Sequence, residues 1–274
     1  MKWKGMGGYE EKEENLLLSV VPYLHAAGKR RLLWDKRNEM YREAITDEPI
    51  DQRIEKIRSQ ENYVDYDSLP QFYVKATISI EDRRFEDHGG IDLIAIGRAA
   101  WRDIRSLSLA EGGSTITQQF AKNLLFTRDK KFERKVAEVF AAIEIESRYT
   151  KDEIFELYAN TVYFGSGYYG IYQASLGYFG KEPRKLNEYE SAMLAGIPKA
   201  PSIYSPDASK EMASRRTDQV LYSMAQCGAI TREEADKIKT LMLKTNEYGS
   251  IKDVNKRMLN LKKRVPRKCE GLSF

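Results

Sequence analysis

The sequence is poor in cysteine and nearly balanced in charge. Its 274 residues hold only two cysteines, Cys227 and Cys269, and no C-x-x-C pair. This usage argues against a disulfide framework and gives no sign of a zinc site. Lysine and arginine together number 45 against 41 acidic residues, a net charge of +4. So small an excess gives no reason to expect a nucleic-acid partner.

Long apolar runs and strand patterns are also missing. The best apolar run, LLLSVVPYLHAA at residues 16–27, is shorter than the roughly 20 residues that a membrane-spanning helix needs. The acidic stretch EEKEEN precedes it, where a signal peptide would carry positive charge. Alternating patterns are scarce, and the best candidate strand, FYVKATISI at 72–80, could equally be helical. The sequence therefore predicts no spanning segment and a mainly α fold.

The residue composition of the chain changes twice along its length. Residues 1–64 are dense in charge and are predicted to form one or two exposed helices, an accessory arm or a linker. Residues 65–245 carry apolar positions at helical spacing and are predicted to form the main domain. Residues 246–274 form a basic tail, interpreted as a solvated helix with a frayed end, with contact to anionic lipid as the alternative.

Several helix boundaries can be placed within the main domain. Phe132, Val136, Val139, Phe140 and Ile143 follow a helical stripe. Three pairs have the spacing of a capping box, in which a polar N-cap residue and an acid three positions later bond reciprocally. These pairs are Thr150 with Glu153, Asn187 with Glu190, and Thr231 with Glu234. They place helix starts just after residues 150, 187 and 231.

The stretch SIEDRRFEDHGGID at 79–92 is the first candidate for chemistry. Glu81 ends an apolar run, so its carboxylate is expected at the edge of the core, where partial burial would suit a general base. His88 follows seven residues later and would share the face of Glu81 if the helix continued. Judged alone, most such charged stretches are surface ion pairs.

The second candidate is EGGSTITQQFAKNLLF at 111–126. Gly112 and Gly113 precede a predicted helix capped by Ser114 or Thr115, whose exposed N–H groups would form an anion site. Uncharged hydrogen-bonding side chains cluster there and would suit sugar hydroxyls or phosphate oxygens. An ordinary cap on an amphipathic helix is the equal alternative.

The third candidate, RDKKFERKVAEVF at 128–140, places cations ahead of an acid. Glu138 is expected to point away from the apolar stripe, on a face with Arg134 and the small residues Ala141 and Ala142. It could be a salt-bridged surface residue or part of a cleft that holds a diphosphate. A fourth block, KDEIFELYANTVYFGSGYYGIYQAS at 151–175, is rich in aromatic residues that are expected to be mainly core.

These blocks, in this order, resemble the peptidoglycan glycosyltransferase family: the transglycosylase domain of class A penicillin-binding proteins and the monofunctional transglycosylases. EDRRFEDHGGID resembles the first motif, GGSTITQQFAKN the second, RKVAE the third and ELYANTVYFGSGYYGI the fourth. ESAMLAGIPKAPSIYSP resembles the fifth. The resemblance runs from about residue 68 to about residue 235, and five ordered motifs leave little room for chance.

The resemblance implies a mainly α, lysozyme-like domain with two lobes around a long cleft. It implies the polymerisation of lipid II: the 4-hydroxyl of the acceptor GlcNAc attacks C1 of the donor MurNAc with inversion, and undecaprenyl diphosphate leaves. Glu81 matches the general base that takes the acceptor proton. Glu138 matches the second essential carboxylate, near the donor diphosphate.

The resemblance also implies a set of substrate-binding residues. Lys122 matches a lysine that contacts the donor diphosphate. Lys130 stands where many members have arginine, with Arg128 close by to compensate, because lysine lacks the planar guanidinium fork. The remaining matches are the basic pair Arg134 and Lys135 of the third motif, the cleft residues Ser114, Thr115, Gln118 and Gln119 of the second, and His88 of the first, which with Asp82 and Phe85 would mainly shape that motif.

The implied setting is the outer face of a bacterial cell membrane, bound peripherally or through an anchor not visible in this sequence. Lipid II, the lipid-linked glycan chain, the membrane surface and other cell-wall synthesis proteins are the expected partners. No cofactor is expected to be obligatory; Mg²⁺ or another divalent cation could share the donor diphosphate, although no protein metal cage is visible. No S-x-x-K motif with its companions is found, so a monofunctional polymerase without a transpeptidase domain is expected.

Two alternatives remain open from the sequence. A lysozyme-like hydrolase would also use carboxylates in a sugar cleft, but it would not need the cationic diphosphate site. A non-catalytic protein that binds lipid II or acts as a cell-wall scaffold would be expected to have lost Glu81 or Glu138, and both are present.

Overall fold

The computed structural model describes residues 48–97, 113–125 and 132–244. This part of the chain is mainly helical, as predicted, and its only β feature is an isolated antiparallel bridge between Tyr163 and Tyr169. The helices are α1 (Ile50–Arg58), α2 (Gln71–Glu81), α3 (Ile116–Leu125), α4 (Phe132–Arg148), α5 (Lys151–Thr161), α6 (Gly170–Phe179), α7 (Glu188–Gly196), α8 (Pro201–Tyr204), α9 (Lys210–Gln226) and α10 (Arg232–Lys244). Short 3-10 turns lie at Tyr66–Ser68, Phe85–Asp87, Pro183–Lys185 and Ile197–Lys199.

Local sequence signals set several of these boundaries. The three predicted capping boxes are confirmed: in each, the acid's side chain accepts from the N-cap backbone while the N-cap side chain accepts from the acid's backbone N–H. Gly180 ends α6 in the left-handed conformation, with φ of 66°. The segment FYVKATISI, the best candidate strand, lies within α2.

Two groups of helices build the hydrophobic core. In one group α2 packs against α7 and α9, and in the other α3 packs against α4 and α5. Large aromatic side chains fill the interior, among them Tyr73, Phe85, Phe120, Phe155 and Tyr158, each almost fully buried. None of the helices in the described ranges is both long enough and apolar enough to cross a bilayer.

The boundary drawn after residue 64 falls inside this core. Ile50, Ile54 and Ile57 of α1 are buried, and α1 packs against α5. Residues 50–58 are therefore part of the main domain rather than an exposed arm, because their apolar positions recur at the three- and four-residue spacing of one helix face. The rest of the predicted arm, residues 1–47, and the basic tail, 246–274, lie outside the described residues.

The register of α4 differs from the predicted apolar stripe. Val139, Phe140 and Ile143 are only partly buried, whereas Ala137, Ala141, Ala142 and Ile145 are fully buried. Small alanines allow α4 to approach its neighbours closely, so this face packs inward despite its lower hydrophobicity. Glu138 lies on the same inward face, so its neighbours depend on how α4 packs against the other helices.

Candidate active site

Glu81 is the last residue of α2 and is held by side chains from two other helices. The Gln119 side chain on α3 donates from Nε2 to Oε2 at 3.0 Å, and Arg216 Nη2 on α9 lies 3.3 Å from Oε1. The Glu81 side chain is 9% exposed and that of Arg216 is 11% exposed. The predicted place of Glu81 at the edge of the core is confirmed, and both of its oxygens are oriented.

Arg216 is a site residue that sequence reasoning missed. Its guanidinium also donates from Nε to the Gly196 carbonyl at 3.2 Å, and it lies over the Tyr204 ring at 5.5 Å. These contacts fix the planar guanidinium while it faces the carboxylate, and so they orient the ion pair between Arg216 and Glu81. Arg216 belongs to none of the segments that had carried a chemical signal, and only tertiary packing brings it to Glu81.

Glu138 forms a second centre on α4 and is 1% exposed. Lys135 Nζ lies 3.0 Å from Glu138 Oε2 and also donates to Ser114 Oγ at 2.8 Å. Lys135 itself is 47% exposed, so one end of this pair is open to solvent. Ser114, Lys135 and Glu138 therefore form one hydrogen-bonded cluster.

The start of α3 is not an open anion site, contrary to expectation. Thr115 and Gln118 form a capping box of their own: Gln118 N–H donates to Thr115 Oγ1 and Thr115 N–H donates to Gln118 Oε1. The next N–H, that of Ile116, donates to the Asp82 carboxylate at 3.0 Å. Because these N–H groups already have partners, the segment itself neutralises the partial positive charge of the helix end.

Thr115 and Gln118 are accordingly structural in this geometry. Each is 2% exposed, and Thr115 Oγ1 also donates to the Gly90 carbonyl at 2.7 Å. That bond ties the start of α3 to the loop of the first motif. Of the uncharged residues predicted to line a cleft, Gln119 contacts Glu81, and Ser114 contacts Lys135, the partner of Glu138.

His88 also makes an internal structural contact and does not line a cleft. Its Nε2 lies 3.0 Å from both oxygens of Asp82, and the side chains of both residues are 4% exposed. The expectation that His88 shares a helical face with Glu81 is wrong, because α2 ends at Glu81 and Asp82 turns the chain at φ of −153°. The pair Asp82–His88 instead packs the first motif against α3.

Helix α3 thus lies between the two acids. Ser114, just before it, contacts the Glu138 cluster, and Gln119, in its second turn, contacts Glu81. Lys122 is exposed one turn further along, on the same side as Gln119. The predicted residues Arg128 and Lys130, and the side chain of Arg134, lie outside the described residues.

The described residues include an oriented carboxylate and two exposed lysines. A carboxylate has about four acceptor positions, and the two contacts to Glu81 leave it able to accept a proton from a substrate hydroxyl. Lys135 and Lys122 place exposed positive charge on the same part of the molecule. Within the described residues, no group of three or more His, Cys, Asp or Glu side chains gathers in a way that could hold a metal ion.

Comparison with known proteins agrees with these features. A family model described as "Transglycosylase" matches residues 48–225. Penicillin-binding protein 1F of Bacillus subtilis is 48% identical over 172 residues, 63% of this chain and 24% of that protein. Penicillin-binding protein 1A of Aquifex aeolicus is 44% identical over 189 residues, 68% of this chain and 26% of that protein.

A shorter relative is covered over most of its length. A Cupriavidus necator protein whose name includes the word transglycosylase is 44% identical over 179 residues, 65% of this chain and 77% of that protein. The chain thus spans about a quarter of the two penicillin-binding relatives. A crystal structure of penicillin-binding protein 1A from Haemophilus influenzae matches 45% of this chain and 15% of its own, at 29% identity and a TM-score of 0.31.

Proposed function

This chain belongs to the transglycosylase family, and from that premise we propose that it polymerises lipid II into peptidoglycan glycan strands. The growing lipid-linked strand is the donor and lipid II is the acceptor. The acceptor GlcNAc 4-hydroxyl bonds to C1 of the donor MurNAc with inversion, and the bond from C1 to undecaprenyl diphosphate breaks. The hydroxyl proton passes to the base.

Glu81 is the base in this proposal. A neutral sugar hydroxyl is a weak nucleophile and needs a positioned proton acceptor. Gln119 and Arg216 orient the Glu81 carboxylate from two sides. The placement of Glu81 at the open end of α2, held by α3 and α9, is the observation that carries the proposal.

The Glu138 cluster would serve the leaving group. A diphosphate already stabilises negative charge, so it needs cations more than a proton donor. Glu138 holds Lys135 at 3.0 Å, and Lys135 bridges to Ser114, which leaves a positioned ammonium for phosphate oxygens. Lys122 would add a second positive charge, and Arg128, Lys130 and Arg134 are retained as further proposed contacts.

In this scheme a divalent cation would bind together with the substrate. Glu138 offers one carboxylate, already paired with Lys135. Mg²⁺ characteristically binds through one or two carboxylates together with substrate phosphates. Any Mg²⁺ would therefore be held mainly by the diphosphate, and polymerisation with and without a chelator tests this.

The substrate places the protein at the outer face of the bacterial membrane, because undecaprenyl lipids do not leave the bilayer readily. Other cell-wall synthesis proteins are the proposed partners there. Monofunctional action is likewise a proposal, and labelling with a fluorescent penicillin tests it: an acylated chain would contradict it.

The decisive experiment is polymerisation of purified lipid II by the purified chain. Glu81→Gln is expected to abolish polymer formation while lipid II binding stays measurable, since Gln keeps the shape but cannot take the proton. Glu86→Gln, a change at an exposed acid of the same motif, is the matched control and is expected to stay active. Full activity of Glu81→Gln would remove Glu81 from the mechanism.

The same assay separates the alternatives. A hydrolase would release fragments from finished glycan and make no polymer from lipid II. A scaffold would bind lipid II and do neither.

A further inference from the structure

Below Glu81, three buried hydroxyl groups lie in the core without a hydrogen-bond partner. They belong to Tyr73 and Thr77 on α2 and to Tyr158 on α5, and all three residues are 0% exposed. None of the three hydroxyls bonds to a side chain or backbone group of the residues that the structure describes. Buried hydroxyls without partners are strongly unfavourable, so three in one part of the core require an explanation.

The spacing along α2 connects them to the base. Tyr73, Thr77 and Glu81 are four residues apart, so their side chains lie one above the other on a single helical face. Successive positions on such a face are about 6 Å apart along the axis. Side chains at this spacing can bond directly, but neither the Tyr73 nor the Thr77 hydroxyl has a direct partner, which leaves a bridging water to join them to the carboxylate.

Tyr158 reaches the same place from α5. The Tyr73 and Tyr158 rings both pack on Phe155, with centroids 6.0 Å and 6.1 Å from its ring. Burial is the main cause that raises the pKa of both phenols, and the negative charge of Glu81 raises each further. The Thr77 hydroxyl lies near enough to Tyr73 to oppose that rise, but the two hydroxyls do not meet hydrogen-bonding geometry.

We propose that the hydroxyls of Tyr73, Thr77 and Tyr158 form a binding site for a buried water that donates a hydrogen bond to Glu81 from the core side. A buried water needs two to four polar partners, and these hydroxyls with the carboxylate provide them. Gln119 and Arg216 hold Glu81 from the other side. The three hydroxyl residues are positioning residues: they act on the base through the water and do not touch the substrate.

The charged and titratable groups that face Glu81 determine how a buried water would affect its carboxylate. Arg216 on α9 is the charged neighbour, the two phenols are the titratable ones, and Gln119 on α3 is neutral. On α7, which packs on α2, Tyr189 is turned to Ser214 and Glu190 to Lys181. A hydrogen bond from the buried water favours the ionised carboxylate, so its loss disfavours the form that accepts the proton.

The test rests on the proposed function and uses the pH dependence of lipid II polymerisation. Tyr158→Phe and Thr77→Val each remove one hydroxyl with little change of shape. The acidic limb of kcat/KM is expected to move to higher pH by about one unit, roughly a tenfold loss on that limb. A purely structural role would lower the melting temperature and leave the limb in place.

Tyr178→Phe is the matched control. Its hydroxyl is also buried but donates to the Phe164 carbonyl at 2.8 Å, away from Glu81. The control is expected to lose some stability and to keep the wild-type pH limb. Unshifted limbs in both Thr77→Val and Tyr158→Phe would overturn the proposal, and a shift in either folded variant that the control lacks supports it.

A crystal structure of the full chain at high resolution gives a readout independent of activity. An ordered water within hydrogen-bonding distance of Glu81 and at least two of the three hydroxyls is expected. A dry cluster overturns the proposal whatever the kinetics show. If the wild-type chain fails to polymerise lipid II, the proposed function falls while this crystallographic test still decides the water site.

Discussion

Gly90 sets the distance between the first motif and the helix that carries Glu138. Its φ is +87°, and a Cβ added there would lie 2.9 Å from both the backbone carbon and the carbonyl oxygen of Ala142. Ala142 is one helical turn after Glu138 on α4. Gly90→Ala therefore pushes α4 away from the loop that follows Glu81.

The expected cost has two parts. A non-glycine residue in the left-handed region costs about 1–2 kcal/mol, and forcing an extra methyl group into a packed contact costs about 1–3 kcal/mol. Their sum, about 2–5 kcal/mol, corresponds to a fall in melting temperature of roughly 4–20 °C for a domain of this size. Since ordinary contacts begin near 3.4 Å, α4 or the loop must move by about 0.5 Å, enough to slow polymerisation about tenfold.

The neighbouring glycine provides the control. Gly89 is exposed, and a Cβ added to it would meet nothing within 4 Å. Thermal unfolding and lipid II polymerisation are measured for both alanine variants, with activity assayed well below the lower melting temperature. If Gly90→Ala matches Gly89→Ala in both measurements, the spacing argument is refuted.

Three further predictions concern substitutions of single residues. Lys135→Met removes the ammonium beside Glu138 and should lower kcat/KM for lipid II at least about tenfold. The melting temperature should also fall, because the Glu138 side chain is 1% exposed and loses a cationic partner. Unchanged kinetics in the folded variant would exclude Lys135 from the donor site. Asn160→Ala removes three hydrogen bonds, two that join α5 to Val64 before α2 and one to the Glu156 carbonyl within α5, and chemical denaturation should show a loss of about 2–4 kcal/mol. Thr150→Ala should cost about 1 kcal/mol at neutral pH. The backbone hydrogen bond at position 150 is the first cause that lowers the pKa of Glu153, and alanine keeps that N–H. The stability that the lowered pKa supplies above the unfolded value near 4.5 is lost as pH falls, so acid should destabilise both the wild type and Thr150→Ala. Most of the difference between them should persist in acid unfolding, because the hydrogen bond from the Glu153 N–H to the Thr150 hydroxyl does not titrate.

Local signals predicted the helices well and their packing less well. A capping box needs only two residues three positions apart, so its three occurrences could be identified from sequence alone. The inward face of α4 was misjudged because alanine contributes little to a hydrophobic stripe. The burial of Ala141 and Ala142 depends on how closely another element approaches, which no periodicity records.

The candidate site divides in the same way. The motifs predicted Glu81, Glu138 and Lys135, and each of these side chains has a hydrogen-bond or ion-pair partner in the structure. The same motifs contain Thr115, Gln118 and His88, but the side chains of these residues form hydrogen bonds that hold the fold together. Hydrogen-bonding capacity is visible in a sequence, whereas the direction in which a side chain points is not.

The sequence by itself determined the class of fold, the family and the two acids, because helix signals and ordered motifs are local properties of the chain. Only the tertiary structure decided what surrounds those acids. Arg216, which is 135 positions from Glu81, meets it because α9 packs against α2. Glu81 and His88 lie in one stretch of the sequence but face different partners, because α2 ends at Glu81. Contacts between distant segments follow from packing of whole helices, and no local pattern of residue types specifies them.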